Sequence, residues 1–282
     1  MKLLKILLVF LAFSLAAAPA AAAAAAASGN RELSLLAINI GKGDALLLRC
    51  GSSVYLVDTG KKKQADTLIS VLEAEGVSRL TGVIITHTDK DHVGGLKKLA
   101  NSGIAIDNVY SSAFCAEEDP VHPVEKAVKD AGLKVSWLSA GDALPLDGGS
   151  LTVLGPLVRD GEKENNNSLV LLAEGGGGSM LLAGDMEFPE ETSLLNAGLV
   201  PHADVLKIGN HGEDDATSNA FISAVKPSLA VISTNSAQEP DTPDPRVLRL
   251  LASWDVTVLV TQDSALGVLV TIRDGQIETE IK

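Results

Sequence analysis

The apolar run Val83-Ile84-Ile85-Thr86 ends directly on four potential metal ligands within six residues: His87, Asp89, Asp91 and His92. That junction constrains the chain more than any other feature. A short β-branched run reads as a buried strand, and function gathers at strand ends in α/β folds. Charges placed there without a partner are expensive, so the two carboxylates call for a cation. Side chains on one short loop converge on an ion at little chain-closure cost. Imidazole with carboxylate suits Zn²⁺, and a larger carboxylate share favours Mn²⁺ or Fe. Gly94-Gly95 lets the backbone turn tightly beside the cluster. The chain has only five histidines, and two of them fall here. A solvated acidic turn does not account for that placement.

The surrounding pattern is α/β. Residues 33–40, 45–49 and 54–57 read as a strand meander, 64–75 as a helix, 83–86 as the buried strand, and 93–100 and 121–131 as helices, with a strand at 134–138. The second half repeats the style. It has strands at 151–154, 169–173, 180–183, 205–208, 229–232, 256–260, 266–272 and 276–281, and helices at 187–197, 219–225 and 245–253. Two meanders, each supplied with helices, predict two packed sheets with helices on the outside. Gly175 to Gly178 reads as a hairpin tip, since a phosphate-binding loop should open a helix.

Residues 1–27 have the pattern of a leader. Lys2 and Lys5 make a positive start, Ile6 to Ala18 is apolar, and an alanine run follows Pro19. Cleavage near Ser28 predicts a secreted or periplasmic protein, with an uncleaved membrane anchor as the alternative. Residues 28–282 then form one domain or two tight halves. Of the 23 basic and 36 acidic residues, the leader removes two lysines, so the mature net charge moves from −13 to −15. Such a surface repels nucleic acid unless a basic patch overrides it locally. Lys61-Lys62-Lys63 is the one clear basic cluster and reads as a solvated loop. Cys50 and Cys115 are too few for a disulfide framework.

Six ordered segments carry a resemblance to a known family. They are Asn39-Ile40-Gly41-Lys42-Gly43-Asp44-Ala45, Tyr55-Leu56-Val57-Asp58-Thr59-Gly60, Thr86-His87-Thr88-Asp89-Lys90-Asp91-His92-Val93-Gly94-Gly95, Asn166-Asn167-Ser168-Leu169-Val170-Leu171, Leu182-Ala183-Gly184-Asp185-Met186 and Leu206-Lys207-Ile208-Gly209-Asn210-His211-Gly212. Together they resemble the metallo-β-lactamase superfamily, and within it the soluble hydrolase domain of ComEC competence proteins. The resemblance implies a four-layer αββα sandwich with two divalent metal ions at one edge, Zn²⁺ or Mn²⁺. It implies His87 and Asp89 on the first metal, Asp91, His92 and His211 on the second, and Asp185 bridging both. Asp58 would orient the cluster from behind.

Two departures from the family pattern stand out. Asn210 occupies a position that usually carries histidine. A further ligand histidine expected between the cluster and Asp185 has only His122 as a candidate, at what looks like a surface helix start. Ser168 or Asn165 would fill that corner instead. His202 reads as a loop residue.

Two close cations lower the pKa of a bridging water, so that hydroxide is available near neutral pH. Asp91 would take its proton or hold it in line, and Lys207 would assist an anionic substrate unless it is a surface residue on an edge strand. The resemblance implies phosphodiester substrates, either nucleic acid or a smaller phosphoester. Asp89 and the ComEC-like motifs argue against a β-lactam. A separate membrane partner is open, since no channel helices follow the domain. The alternative is a degenerate metal- or ligand-binding module without turnover, for which Asn210 and the absent histidine speak.

Overall fold

Alternation along the strands decides the layers. In β1 (Leu33–Ile38), Leu33, Leu35 and Ala37 enter one core while Leu36 and Ile38 enter another. Successive side chains of a strand point to opposite faces, so a strand apolar on both must be covered on both. The structure, a computed structural model, describes residues 32–114 and 122–282. The leader expected at residues 1–27 and Cys115 lie outside the described residues. Among those residues, no helix is long and apolar enough to cross a membrane.

The first sheet draws on both chain ends. β2 (Leu46–Cys50) and β3 (Ser53–Val57) continue the meander, followed by β4 (Gly82–Ile85), β5 (Val109–Ser112) and β6 (Val135–Leu138). The second sheet contains β7 (Ala143–Leu146), β8 (Gly149–Gly155), β9 (Val170–Gly175), β10 (Gly178–Leu182), β11 (Val205–Lys207), β12 (Leu229–Ile232) and β13 (Thr257–Val260). The chain then returns to the first sheet with β14 (Gly267–Arg273) and β15 (Gln276–Ile281). The strand orders are β15-β14-β1-β2-β3-β4-β5-β6 and β13-β12-β11-β10-β9-β8-β7.

The apolar interior separates into three layers between four. Leu35, Leu48 and Tyr55 of one sheet meet Leu151, Leu171 and Val231 of the other. Outside the first sheet, Leu56 and Val83 pack on Leu68 and Leu72 of α1 (Ala65–Ala74). The same layer takes in α2 (Lys90–Val93), α3 (Leu96–Leu99) and α4 (Pro123–Val128). Outside the second sheet, Leu181 and Ile232 pack on α5 (Phe188–Asn196), α6 (Asn219–Val225) and α7 (Pro245–Ser253). The expected αββα sandwich is therefore the observed one.

Strand direction sets the position of the site. β3 through β6 run parallel to one another, as do β10 through β13. The C-terminal ends of β3, β4, β10, β11 and β12 deliver Asp58, His87, Asp185, His211 and Ser233 respectively. Open parallel sheets bind ligands at that edge.

Several elements differ from the sequence reading. The single helix expected over 93–100 is two one-turn pieces, α2 and α3, divided at Gly94-Gly95. A Cβ on Gly95 would lie 2.3 Å from the Thr59 carbonyl oxygen, and one on Gly94 2.9 Å from that of Gly60. The backbones touch there, and the glycines serve the contact. β5 is half polar and gives little periodicity. β7 contains Pro145, tolerated because β7 is an edge strand. Lys207 is not on an edge: β11 lies between β10 and β12.

Glu190 of α5 is 2% exposed, and its Oε1 accepts a hydrogen bond from the Leu157 amide at 2.9 Å. Burial outweighs that bond and pushes its carboxyl from 4.5 up to about 7. The unfolded chain titrates at the lower value, so folding penalises the anion. That penalty is absent below pH 4.5, grows towards pH 7 and is complete above it. Glu190→Gln keeps the acceptor and removes the charge. It should stabilise the protein at pH 8 by about 1–2 kcal/mol, a rise of roughly 2–8 °C in Tm. Melting at pH 4.5 and pH 8 checks the sign, since the gain must vanish at the lower pH.

Candidate metal centre

Three histidines are aimed by what their Nδ1 atoms touch. His92 Nδ1 lies 2.8 Å from Asp58 Oδ2. His211 Nδ1 lies 2.8 Å from the Ser233 carbonyl oxygen, an acceptor only, so that nitrogen carries the proton. His87 Nδ1 lies 3.1 Å from both Thr86 Oγ1 and Ser168 Oγ. Thr86 Oγ1 donates to Asp58 Oδ2 at 2.7 Å, and Ser168 Oγ accepts the Asp185 amide at 3.1 Å. Thr86 Oγ1 therefore has a lone pair to receive a His87 Nδ1 proton. Each ring then turns Nε2 inward, the tautomer a metal ligand requires.

The inward nitrogens converge on one oxygen. Asp185 Oδ2 is 3.0 Å from His92 Nε2, 3.3 Å from His211 Nε2 and 3.8 Å from His87 Nε2. Asp89 Oδ2 stands 3.9 Å from His87 Nε2, and Asp91 Oδ2 stands 4.0 Å from His211 Nε2. Four overlapping groups of candidate ligands result, two of them containing Asp44. His87, His92 and Asp185 make one group with metal-compatible spacing, and Asp91, His92 and His211 make another. His87 Nε2 is a buried nitrogen without a hydrogen-bond partner among the described residues, an arrangement that is costly unless a cation takes the lone pair.

The protonation tendencies agree. Burial, and next the neighbouring His92, push His87 down to about 3, so its imidazole is neutral. Burial opposes charge on His92 too, but Asp185 and Asp58 outweigh it and hold that imidazole well above its usual value. Burial likewise opposes the Asp185 anion, and His211 and His92 outweigh it, placing that carboxyl well below the usual range. The site thus draws positive charge to the point where Nε2 of His92, Nε2 of His211 and Asp185 Oδ2 meet. His87, Asp91, His92, Asp185 and His211 fit a divalent-metal centre, and Asp89, half exposed, stands at its rim outside every group of metal-compatible spacing.

The backbone is bent to build it. Asp58, Asn210 and His211 have φ of 61°, 44° and 53°, a left-handed conformation that costs about 1–2 kcal/mol for a side-chain-bearing residue. The two successive left-handed residues turn His211 back under the sheet edge.

The remaining sequence candidates divide clearly. Asp58 lies behind the ligands, accepting from the Thr86 amide and hydroxyl and pairing with His92. Ser168 lies behind His87, its Oγ 3.1 Å from His87 Nδ1 and accepting the Asp185 amide. Asn165 instead donates to Glu187 at 2.9 Å. Asn210 adjoins His211, but its amide donates to Asp215 at 2.9 Å. His122 caps α4 by accepting the Val124 amide and packs edge-on to Trp137. It is buried rather than at the surface, and it belongs to none of the metal-competent groups. Lys207 is fully buried, its Nζ 2.8 Å from Asp44 Oδ2 and 2.9 Å from the Ile208 carbonyl oxygen.

Asp44 is the residue the sequence reading missed. It is 1% exposed, and its Oδ1 lies 3.8 Å from His211 Nδ1. Its amide donates to the Asp91 carbonyl oxygen, and its own carbonyl accepts from Gly60. The Gly41-Lys42-Gly43-Asp44 turn therefore underpins the metal loop. The signal was an acid between glycines in a segment already matched to the family.

A model of the Metallo-beta-lactamase superfamily matches residues 39–236. The chain is 31% identical over 245 residues to ComE operon protein 3 of Bacillus subtilis (strain 168), a match covering 80% of this chain and 31% of that protein. It is 28% identical over 238 residues to competence protein ComA of Neisseria gonorrhoeae, covering 82% of this chain and 31% of that one. The chain thus spans about a third of the length of these curated relatives. Among solved structures, the metallo-beta-lactamase fold protein YhfI from Bacillus subtilis is similar with a TM-score of 0.53 at 14% identity, covering 89% of this chain and 100% of that one.

Proposed function

The chain belongs to the metallo-β-lactamase superfamily, and from that membership and its buried His/Asp cluster we propose that it is an exported, binuclear metal-dependent hydrolase of phosphodiester bonds. The observation that carries this reading is the convergence of three oriented imidazoles on one oxygen of Asp185, within 3.0–3.8 Å. Likeness to the competence proteins supports a phosphodiester substrate over a β-lactam.

His87, Asp89 and Asp185 would hold one ion, and Asp91, His92, His211 and Asp185 the other. Two such cations supply a nucleophilic water at neutral pH and a counter-charge for the developing anion. The protein does the rest. Asp58, Thr86 and Ser233 fix the imidazole tautomers through their Nδ1 atoms. Asp91 is the accessible carboxylate of the second set, its side chain 19% exposed against 5% for Asp185. It is the group able both to ligate and to receive a proton on the open side. Lys207 is committed to Asp44 and is assigned no contact with substrate.

The test is hydrolysis of bis(p-nitrophenyl) phosphate by the mature chain with added Zn²⁺ or Mn²⁺, with elemental analysis of the same sample. Two metals per chain, and turnover falling by at least about 10²-fold in Asp91→Ala, are expected. No metal and no turnover with either cation would leave a ligand-binding module in its place.

A further inference from the structure

The lysines that look like a solvated loop in sequence do not stand alone in space. Lys61, Lys62 and Lys63 follow Gly60, whose carbonyl accepts the Gly95 amide at 3.0 Å. That contact brings the loop against α2 and α3, which carry Lys90, Lys97 and Lys98. Lys62, Gly94, Lys97, Lys98, Asn101 and Asp130 line one open groove of about 650 Å³. Among the described residues, Asp130 and Asp66 answer the charge there, pairing with Lys97 at 2.9 Å and with Lys98 at 2.5 Å. Lys97 and Lys98 nevertheless remain 64% and 52% exposed, and exposed pairs of this kind hold their partners weakly.

This ridge stands out on a mature chain of net charge −15, and it starts inside the metal loop, with Lys90 between Asp89 and Asp91. The flank beside the His211 turn carries the reverse charge. Past His211, Glu213, Asp214, Glu239, Asp241 and Asp244 line a groove of their own. An anionic chain crossing the metal centre is repelled on that flank and held on the lysine flank, which fixes its direction. A small phosphoester would gain nothing from lysines on the outer helices, whereas a polymer with a charge on every repeat would.

We propose that Lys61–Lys63, Lys90, Lys97 and Lys98 form an exosite that holds the phosphodiester backbone of a polymeric substrate leading away from the metal centre. This rests on the hydrolase reading for the polymer's fate, but not for its binding. The backbone could belong to a single-stranded nucleic acid or to a poly(glycerol phosphate), and both carry the same repeating anion.

The experiment uses labelled single-stranded oligonucleotide and poly(glycerol phosphate) as probes, with anisotropy read across a salt series. The proteins are wild type, Asp91→Ala and the triple variant Lys62→Gln/Lys97→Gln/Lys98→Gln. All three substituted lysines are exposed, and melting of the variant verifies its fold. Each phosphate contact on a single strand contributes about 0.7 to the slope of log K against log salt, so the triple variant should lose about 2 units of slope. Its affinity should fall at least tenfold, while hydrolysis of bis(p-nitrophenyl) phosphate stays at the wild-type level. Binding of one probe alone identifies the source of the backbone, and equal binding of both shows that charge spacing is what is read. Salt-dependent binding by Asp91→Ala that the triple variant loses upholds the exosite even if no protein in the series hydrolyses anything. No binding of either probe, or binding with unchanged slope in the triple variant, overturns it.

Discussion

Asp185→Asn is expected to lower kcat/KM at least about 10³-fold, roughly 4 kcal/mol of transition-state stabilisation, and to empty the centre of at least one metal ion. The reason is geometric. Its Oδ2 is the oxygen that comes within 3.0 Å of His92 Nε2, 3.3 Å of His211 Nε2 and 3.8 Å of His87 Nε2. Among the described residues, no other carboxylate stands within 4.0 Å of all three imidazoles. An amide oxygen in the same place keeps the shape but loses the charge that holds a divalent ion and keeps the ligands gathered. The backbone should not move, because the residue 185 amide donates to Ser168 Oγ regardless of the side chain. Elemental analysis beside kinetics checks the prediction, with melting of the metal-free protein as the control for folding. An Asp185→Asn protein that retains both ions would mean that Asp185 bridges nothing.

How much of this was legible in the sequence follows from which contacts are local. The cluster His87, Asp89, Asp91 and His92 reads directly, because one strand end and one loop supply all four. Asp185 and His211 come from the other sheet, and the resemblance located them where spacing alone does not. The four layers were legible because β1, β4 and β12 are apolar on both faces, which forces cover on both sides. The helix over 93–100 failed for a tertiary reason: helical periodicity does not reveal that Gly94 and Gly95 must meet the backbone of Thr59 and Gly60. β5 and β7 were hidden by two serines and a proline, residues that a sheet accepts only in context. Asp44 was overlooked as a functional group because its partners, Lys207 and His211, lie over 160 residues away in sequence and no period links them. The lysine ridge has the same character. Each of its segments reads as a solvated surface until the fold sets them side by side.

The fate of Lys207 turns on the same distant pairing. A lysine just ahead of a metal-ligating histidine invites a role on the substrate, yet its ammonium is 2.8 Å from Asp44 Oδ2, with both side chains essentially buried. Burial opposes the Asp44 anion, and Lys207, followed by His211, outweighs it and holds that carboxyl below its usual range. Lys207→Met would strand that carboxylate in the interior beside His211. Breaking a buried pair from one side costs about 3–5 kcal/mol, whereas removing both partners is often close to neutral. Denaturant unfolding of the metal-free protein should therefore show a loss of that size for Lys207→Met and recovery of most of it in Asp44→Asn/Lys207→Met. A substrate-binding lysine predicts the opposite split: stability kept, turnover of anionic substrates lost, and no rescue from the second substitution. The two outcomes cannot be confused, because one is read without substrate and the other only with it. The first outcome would leave the anionic substrate to the metal ions and the exposed lysines, with Lys207 and Asp44 holding the floor beneath His211.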